Sequence, residues 1–214
     1  NTTGRLSPFL RYGRTYRHPN LEEMLFAGPA TVGNIVPNVR VKPEIGNNFD
    51  AGVKFRFGVV SGGVLPDLRR SLKLDFVVVN AENAAAGFGI TRGVAEELFA
   101  AGADVLTGGN HSWDQKETLS YIEGEPRLLR PHNFPRGTPG RGAAVFPTAT
   151  GRKVLVLNLM GRLFMDPLDD PFQAVEQILQ AYRLGATVDA ILLDFHGEAT
   201  SEKMAMGHVV DGRV

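Results

Sequence analysis

From about Val53 onward, short apolar runs rich in β-branched residues alternate with amphipathic stretches, and this alternation limits the possible folds most. Such an order is typical of an α/β domain, in which helices cover the strands of a buried sheet. The apolar runs predict strands at residues 74–80, 103–107, 153–159 and 190–195. We therefore expect an α/β fold from residue 53 onward.

Helix start and stop signals lie between these predicted strands. Thr91 is suited to cap a helix that runs to about residue 101. Ser112 and Gln115 form a capping-box pattern ahead of a helix that ends near residue 124. A third helix is expected to begin at Asp170, with Pro171 in its first turn, and to end near residue 185.

The first part of the chain has a different composition. Residues 1–52 are rich in Asn, Gly, Pro and Arg, and they show neither the period of a helix nor that of a strand over any length. We therefore expect two regions: an irregular N-terminal extension of unknown role over residues 1–52, and an α/β domain over residues 53–214.

Charge and cysteine content exclude several functional classes. The 23 Lys and Arg residues balance the 23 Asp and Glu residues, so no overall basic field draws the chain to nucleic acid or anionic lipid. The absence of cysteine excludes disulfides, thiolate zinc clusters and a cysteine nucleophile. No apolar run approaches the length of a membrane span or a signal peptide. These features predict a cytoplasmic protein with no membrane partner and no strong nucleic-acid signal, and they leave a homo-oligomer possible.

Polar side chains of the metal-ligand type follow three of the predicted strands. Glu82 and Asn83 come after the first, Asn110 and His111 after the second, and His196 at the end of the last. Because ligands bind at the carboxyl ends of strands in open α/β folds, we expect these side chains to meet at one rim of one sheet. Oxygen and imidazole ligands together suit Mn²⁺, Fe or Zn²⁺ better than Ca²⁺ or Mg²⁺.

Each of these residues also has a purely structural interpretation. Glu82 could cap a turn, Asn110 could be a turn residue after two glycines, and His196 could be a hydrogen-bonded surface histidine. Three such clusters, all at strand ends, favour a shared site. The glycine-rich stretch at residues 87–93 lacks the spacing of a dinucleotide-binding turn, and no serine-nucleophile elbow occurs.

Several motifs in unbroken order resemble those of one enzyme family, the YmdB-type metallophosphoesterases. This bacterial group of calcineurin-like hydrolases cleaves 2′,3′-cyclic nucleotides and similar phosphodiesters. The resemblance extends over about residues 64–213, and it is most specific around His196. The motifs are NAENAA at 80–85, GNHSWD at 109–114, RPHN at 130–133, GTPG at 137–140, MDPLDDPF at 165–172 and DFHGEATSEK at 194–203.

The resemblance implies a fold, a cofactor and a set of roles. The fold is a four-layer αββα sandwich with two metal ions, Mn or Fe first and Zn as an alternative, at the strand ends. By that resemblance Glu82 bridges the two metals, Asn83 and Asn110 each bind one, and His196 is a further ligand. His111 protonates the leaving oxygen of a small-molecule phosphodiester or cyclic nucleotide.

Two departures from the family pattern change these expectations. The family's first strand leads into Gly-Asp-x-x-Gly, whose aspartate is a ligand, but no acidic residue lies between Phe55 and Pro66. The family's Thr-His-Thr-His segment, which follows Asp-Gly-Arg, does not occur after Arg213. We therefore expect an incomplete sandwich, one bound ion instead of two and impaired activity, whether by truncation, rearrangement or loss. The alternative is a noncatalytic binding or regulatory protein with the metallophosphoesterase fold.

Overall fold

The structure is a computed structural model that describes residues 6–17, 44–55 and 64–214. The chain divides into two units, residues 1–59 and 60–214. In the first unit, strand β1 (Leu6–Arg17) pairs with strand β2 (Glu44–Phe55). The pairing is antiparallel over all twelve residues of each strand.

The expectation of irregular structure is wrong for these two segments. Aromatic and β-branched residues such as Phe9, Tyr12 and Thr15 favour strands, although they do not alternate regularly with polar residues. A continuous antiparallel ladder satisfies the backbone groups without such alternation. Residues 1–5 and 18–43 lie outside the described residues, and the boundary at residue 52 stays a prediction.

The second unit is a mixed α/β structure, which confirms the predicted class. Its helices are short and separate strands of two to eight residues. In chain order the elements are α1 (Val64–Ser71), β3 (Val78–Asn80), α2 (Arg92–Ala100), β4 (Val105–Thr107), a 3₁₀ helix (Asn110–Trp113), α3 (Thr118–Gly124), β5 (Leu128–Leu129), β6 (Ala143–Pro147), β7 (Lys153–Met160), α4 (Pro171–Ala181), β8 (Ala190–His196) and α5 (Thr200–Val210). Among the helices of the described residues, none is long and apolar enough to cross a membrane.

These strands form two three-stranded sheets. The first has the order β3-β4-β5 and is parallel, whereas the second has the order β6-β7-β8, with β6 antiparallel to β7 and β8 parallel to it. The prediction that the strands at 74–80, 103–107 and 190–195 are neighbours in one sheet is therefore wrong. An apolar run shows that a strand is buried, but it does not identify the strand beside it.

Helix caps were predicted with mixed success. The Thr91 side chain accepts a hydrogen bond from the Val94 amide, and Asp170 caps α4 by accepting from two amides, so both predicted helix starts are confirmed. The prediction of a capping box at Ser112 is wrong. The Ser112 hydroxyl bonds to the backbone of Gly109 instead, and α3 starts only at Thr118.

Three apolar clusters hold the second unit together. One lies between the two sheets and contains Val105 and Leu129 from the first sheet and Val154 and Val156 from the second. Another packs α2 and α3 against the first sheet, and a third packs α4 and α5 against the second. Each cluster removes apolar surface from water, which is the main source of stability in such a domain.

A polar contact also joins the two sheets, at the carboxyl ends of their strands. The Asp194 carboxylate on β8 accepts hydrogen bonds from Asn80 Nδ2 on β3 (2.8 Å) and Thr107 Oγ1 on β4 (2.5 Å). The Asn158 side chain on β7 donates to the Asp194 carbonyl at 3.2 Å. Thr107 is only 1% exposed, so its hydroxyl depends on this carboxylate as its partner.

Replacing Asp194 by alanine should lower the free energy of unfolding by about 1–3 kcal/mol, because the buried Thr107 hydroxyl loses its acceptor. Urea denaturation measures the change. The matched control is Asp189→Ala at the opposite end of β8, where the carboxylate accepts from the exposed Lys153 amide and water can replace it. The control substitution should lower the free energy of unfolding by less than about 1 kcal/mol. Equal losses in both variants would contradict a special role for the contact between the sheets.

Candidate functional site

Glu82 lies in the turn that follows β3 and is 4% exposed. Its Oε2 atom is 2.9 Å from Nδ1 of His196, the last residue of β8. Its Oε1 atom accepts a hydrogen bond from the backbone amide of His111 at 3.3 Å. The carboxylate therefore joins the ends of both sheets and the start of the 3₁₀ helix.

Gly109 provides the space for this carboxylate. A Cβ atom at that position would overlap the Glu82 carboxyl group. The turn is closed by Ser112, whose hydroxyl accepts from the Gly109 amide at 3.1 Å and donates to the Gly109 carbonyl at 2.7 Å. The pair of glycines after β4 thus permits close approach of the backbone to an acidic side chain.

Burial and ion pairing act in opposite directions on this pair. Burial raises the pKa of Glu82, but the hydrogen bond and charge of His196, together with the His111 amide, outweigh it and hold the pKa below its ordinary value. The hydrogen bond to Glu82 raises the pKa of His196 above its ordinary value, while burial opposes this effect. Each group therefore stabilises the charged form of the other.

The imidazole of His111 is held on one side by a carboxylate. Its Nδ1 atom is 2.7 Å from Oδ2 of Asp114, three residues later. On its other side, Nε2 lies 3.4 Å from the Asn110 side-chain nitrogen. Because Asp114 accepts the Nδ1 proton, Nε2 is the nitrogen available to exchange a proton with a ligand.

The predicted site residues are brought together to different degrees. The Glu82 carboxylate contacts the His196 imidazole and the backbone amide of His111. Asn110 adjoins His111, and its side chain is exposed. Asn83 directly follows Glu82 and is also exposed. The residues converge from two sheets, not at one rim of one sheet.

Two residues of the site were not predicted as members of it. Asp114 follows His111 by three residues, a spacing that brings side chains together in helical turns, so a signal was present. Asp194 precedes His196 by two residues, and alternate residues of a strand lie on the same face. Its role in joining the sheets could not be read from that spacing, since it depends on Asn80 and Thr107 in the other sheet.

The donor set fits a divalent cation. His196 Nε2 is buried and has no hydrogen-bond partner within the described part of the chain. A buried imidazole nitrogen without a partner is costly, and an imidazole whose other nitrogen donates to a carboxylate is the usual arrangement of a metal-binding histidine. Over residues 64–214, however, three or more His, Cys, Asp or Glu side chains do not gather as a metal cluster. Within the described residues, the further candidate ligands next to Glu82 and His111 are the side-chain amide oxygens of Asn83 and Asn110.

Comparison with known proteins identifies similar chains. A family model described as YmdB-like protein matches residues 59–214. A 2′,3′-cyclic-nucleotide 2′-phosphodiesterase of Bacillus subtilis is 44% identical over 149 residues, which are 70% of this chain and 55% of that protein. A second family model, described as TonB dependent receptor-like, beta-barrel, matches residues 2–65.

Two solved structures resemble the second unit. A hypothetical protein from Thermus thermophilus is 44% identical with a TM-score of 0.65, covering 72% of this chain and 57% of that one. A phosphatase from Mycoplasma pneumoniae is 32% identical with a TM-score of 0.62, covering 69% and 53%. The chain thus spans about half the length of the Bacillus subtilis relative it matches.

The close approach of Gly109 to Glu82 can be tested by adding one methyl group. Gly109→Ala should lower the free energy of unfolding by about 1–3 kcal/mol, because the new Cβ forces the carboxylate or the turn to move. The control is Gly93→Ala in α2, where a Cβ meets nothing within 4 Å and should add about 0.5–1 kcal/mol of stability. Chemical denaturation compares the two variants. An unchanged stability for Gly109→Ala would contradict the described packing.

Proposed function

Because the chain belongs to the YmdB-like protein family, we propose that it contributes a metal-dependent phosphodiesterase site that acts on 2′,3′-cyclic nucleotides or similar phosphodiesters. The observation that carries this proposal is the contact of buried Glu82 with His196, whose Nε2 atom is unpartnered among the described residues. The name of the Bacillus subtilis relative supports the substrate class.

The residues that would hold a metal ion are Glu82, Asn83, Asn110 and His196. Their carboxylate, amide and imidazole donors favour Mn²⁺ or Fe, with Zn²⁺ as a further candidate. Such an ion supplies Lewis-acid stabilisation of the phosphoryl oxygens and lowers the pKa of a bound water. Among the described residues, Glu82 is the one carboxylate of this proposed ligand set, so we propose one ion per chain.

His111 is the residue that we propose as general acid. It would hold its transferable proton at Nε2 and release it to the leaving oxygen of the phosphodiester, while Asp114 keeps Nδ1 protonated and the ring oriented. The backbone amide of His111 donates to the Glu82 carboxylate, so the His111 side chain starts from a position beside the proposed metal-binding group.

We also propose the four-layer αββα sandwich as the architecture of this unit. Its support is the order of the apolar clusters: helices α2 and α3, the first sheet, the second sheet, and helices α4 and α5. Six strands in two sheets are present among the described residues of the second unit.

A second candidate is a noncatalytic binding or regulatory protein with the same fold. The observation that favours it is the small number of charged ligands. No acidic residue lies between Phe55 and Pro66, in the place of the family's aspartate, and residues 64–214 contain no cluster of three acidic, histidine or cysteine ligands. Such a protein would keep weak metal or phosphate binding without turnover.

Calorimetric titration with Mn²⁺ should give weak binding with a stoichiometry near one per chain. Glu82→Gln and His196→Gln should each weaken binding by about tenfold or more, because each removes a donor or its partner. The control is His208→Gln, an exposed imidazole on α5, which should leave the affinity unchanged. Two tightly bound ions, or equal effects of all three variants, would contradict the proposed ligand set.

Hydrolysis of 2′,3′-cyclic AMP and of bis(p-nitrophenyl) phosphate should be metal-dependent and slow, because the family's aspartate ligand is absent. Measurement with enzyme in excess over substrate detects a slow reaction. His111→Ala should lower the rate by about 10²–10⁴-fold. Asp114→Asn should lower it less, since the amide oxygen still accepts the Nδ1 hydrogen bond.

The variants His111→Ala and Asp114→Asn should keep the Mn²⁺ affinity of the unmodified chain. The control variant His208→Ala should keep the full rate of hydrolysis. Turnover that survives His111→Ala would exclude this histidine as the acid. Metal binding without any turnover would favour the noncatalytic alternative.

A further inference from the structure

An exposed aromatic ring borders the proposed general acid. The Phe88 side chain is 58% exposed, and its ring lies edge-to-face against the His111 imidazole with 5.1 Å between ring centroids. Most large apolar side chains near this position are buried, so an exposed ring here is not part of the core. The Phe88 ring therefore packs on the side chain whose Nε2 we propose to face the leaving oxygen.

The backbone holds this ring in place. Ala86, Gly87 and Gly89 all have positive φ angles, of 56°, 100° and 71°, and a positive φ is strained for alanine. The Phe88 carbonyl accepts a hydrogen bond from the Gln115 side chain at 2.9 Å. A Cβ on Gly89 would lie 2.9 Å from the His111 carbonyl oxygen, so glycine permits the close approach of the loop to His111. The loop of residues 86–89 is therefore held beside His111.

From this geometry we infer that Phe88 is a specificity-determining residue that stacks on the nucleobase of the substrate. The inference rests on the proposed function, in which His111 protonates the leaving oxygen. In a 2′,3′-cyclic nucleotide that oxygen is a ribose oxygen of the same nucleotide, so placing it within hydrogen-bond reach of His111 brings the ribose and its base near Phe88. An exposed aromatic face stacks on any nucleobase, because every base has a π-face.

The same geometry predicts which substrates are favoured. A phosphodiester whose leaving group carries a purine or another flat aromatic ring gains contact with Phe88, whereas a base-free sugar phosphate does not. The ring of Phe88 packs on His111, whereas Glu82 pairs with His196, so we expect Phe88 to affect the organic part of the substrate and not the phosphoryl group.

Calorimetric binding of 3′-AMP and of ribose 3-phosphate in the presence of Mn²⁺ tests the inference, because the two compounds differ only in the base. Phe88→Leu keeps an apolar side chain but removes the aromatic face, and Phe88→Tyr is the matched control that keeps the ring. Phe88→Leu should weaken 3′-AMP binding by about tenfold, the range of a base–aromatic stack, and leave ribose 3-phosphate unchanged. Phe88→Tyr should bind both compounds as the unmodified chain does.

The possible failures are distinguishable. If the unmodified chain prefers 3′-AMP but Phe88→Leu keeps that preference, or weakens both compounds equally, Phe88 does not read the base. If the unmodified chain binds both compounds with the same affinity, base recognition itself is absent. If it binds neither compound, the proposed function fails, and the inference fails with it. Retained Mn²⁺ binding by Phe88→Leu excludes a general loss of structure.

Discussion

The Asp194 carboxylate links the two sheets at the end where the candidate site lies. It is on β8, and its partners Asn80 and Thr107 are on β3 and β4 of the other sheet. Apolar packing between the sheets is not directional, so it does not fix how far one sheet slides over the other. Hydrogen bonds to one carboxylate do fix this, because their lengths and angles are restricted. The meeting of Glu82 with His196, two residues after Asp194, depends on that alignment.

The candidate site combines the buried carboxylate of Glu82 with two imidazoles, those of His196 and His111, whose orientation is fixed by hydrogen bonds. Glu82 is nearly inaccessible, and its charge is maintained by His196 and by a backbone amide. The cost of burying this charge is offset by those contacts, which also fix the imidazole so that its second nitrogen is left without a partner. His111 is fixed in the same way by Asp114. A carboxylate thus orients each of the two imidazoles, one within the buried pair and one at its edge.

Much of this arrangement could be predicted from the sequence, because the patterns that indicate it lie within a few residues of one another. Helix starts at Thr91 and Asp170 were predictable because a cap satisfies amides only two or three residues away. Glu82, His111 and His196 were recognisable as candidate site residues because each stands at or just after the end of an apolar strand, and the family motifs around them are long. The paired strands β1 and β2 were missed because irregular alternation hides a strand when long-range pairing stabilises it.

From the sequence alone, strands β3, β4, β7 and β8 and helices α2, α3 and α4 could be located, whereas α1, β5, β6 and α5 were missed. The sequence also showed which residue types stand at the strand ends and to which family the second unit belongs. It did not determine which strands are neighbours, since β8 pairs with β7 and reaches the first sheet only through side chains. Nor did it reveal that Gly109 makes room for the Glu82 carboxylate or that Phe88 lies against His111. Strand identity depends on local periodicity, which the sequence contains. Contacts between distant segments depend on how whole layers pack, which only the tertiary structure decides.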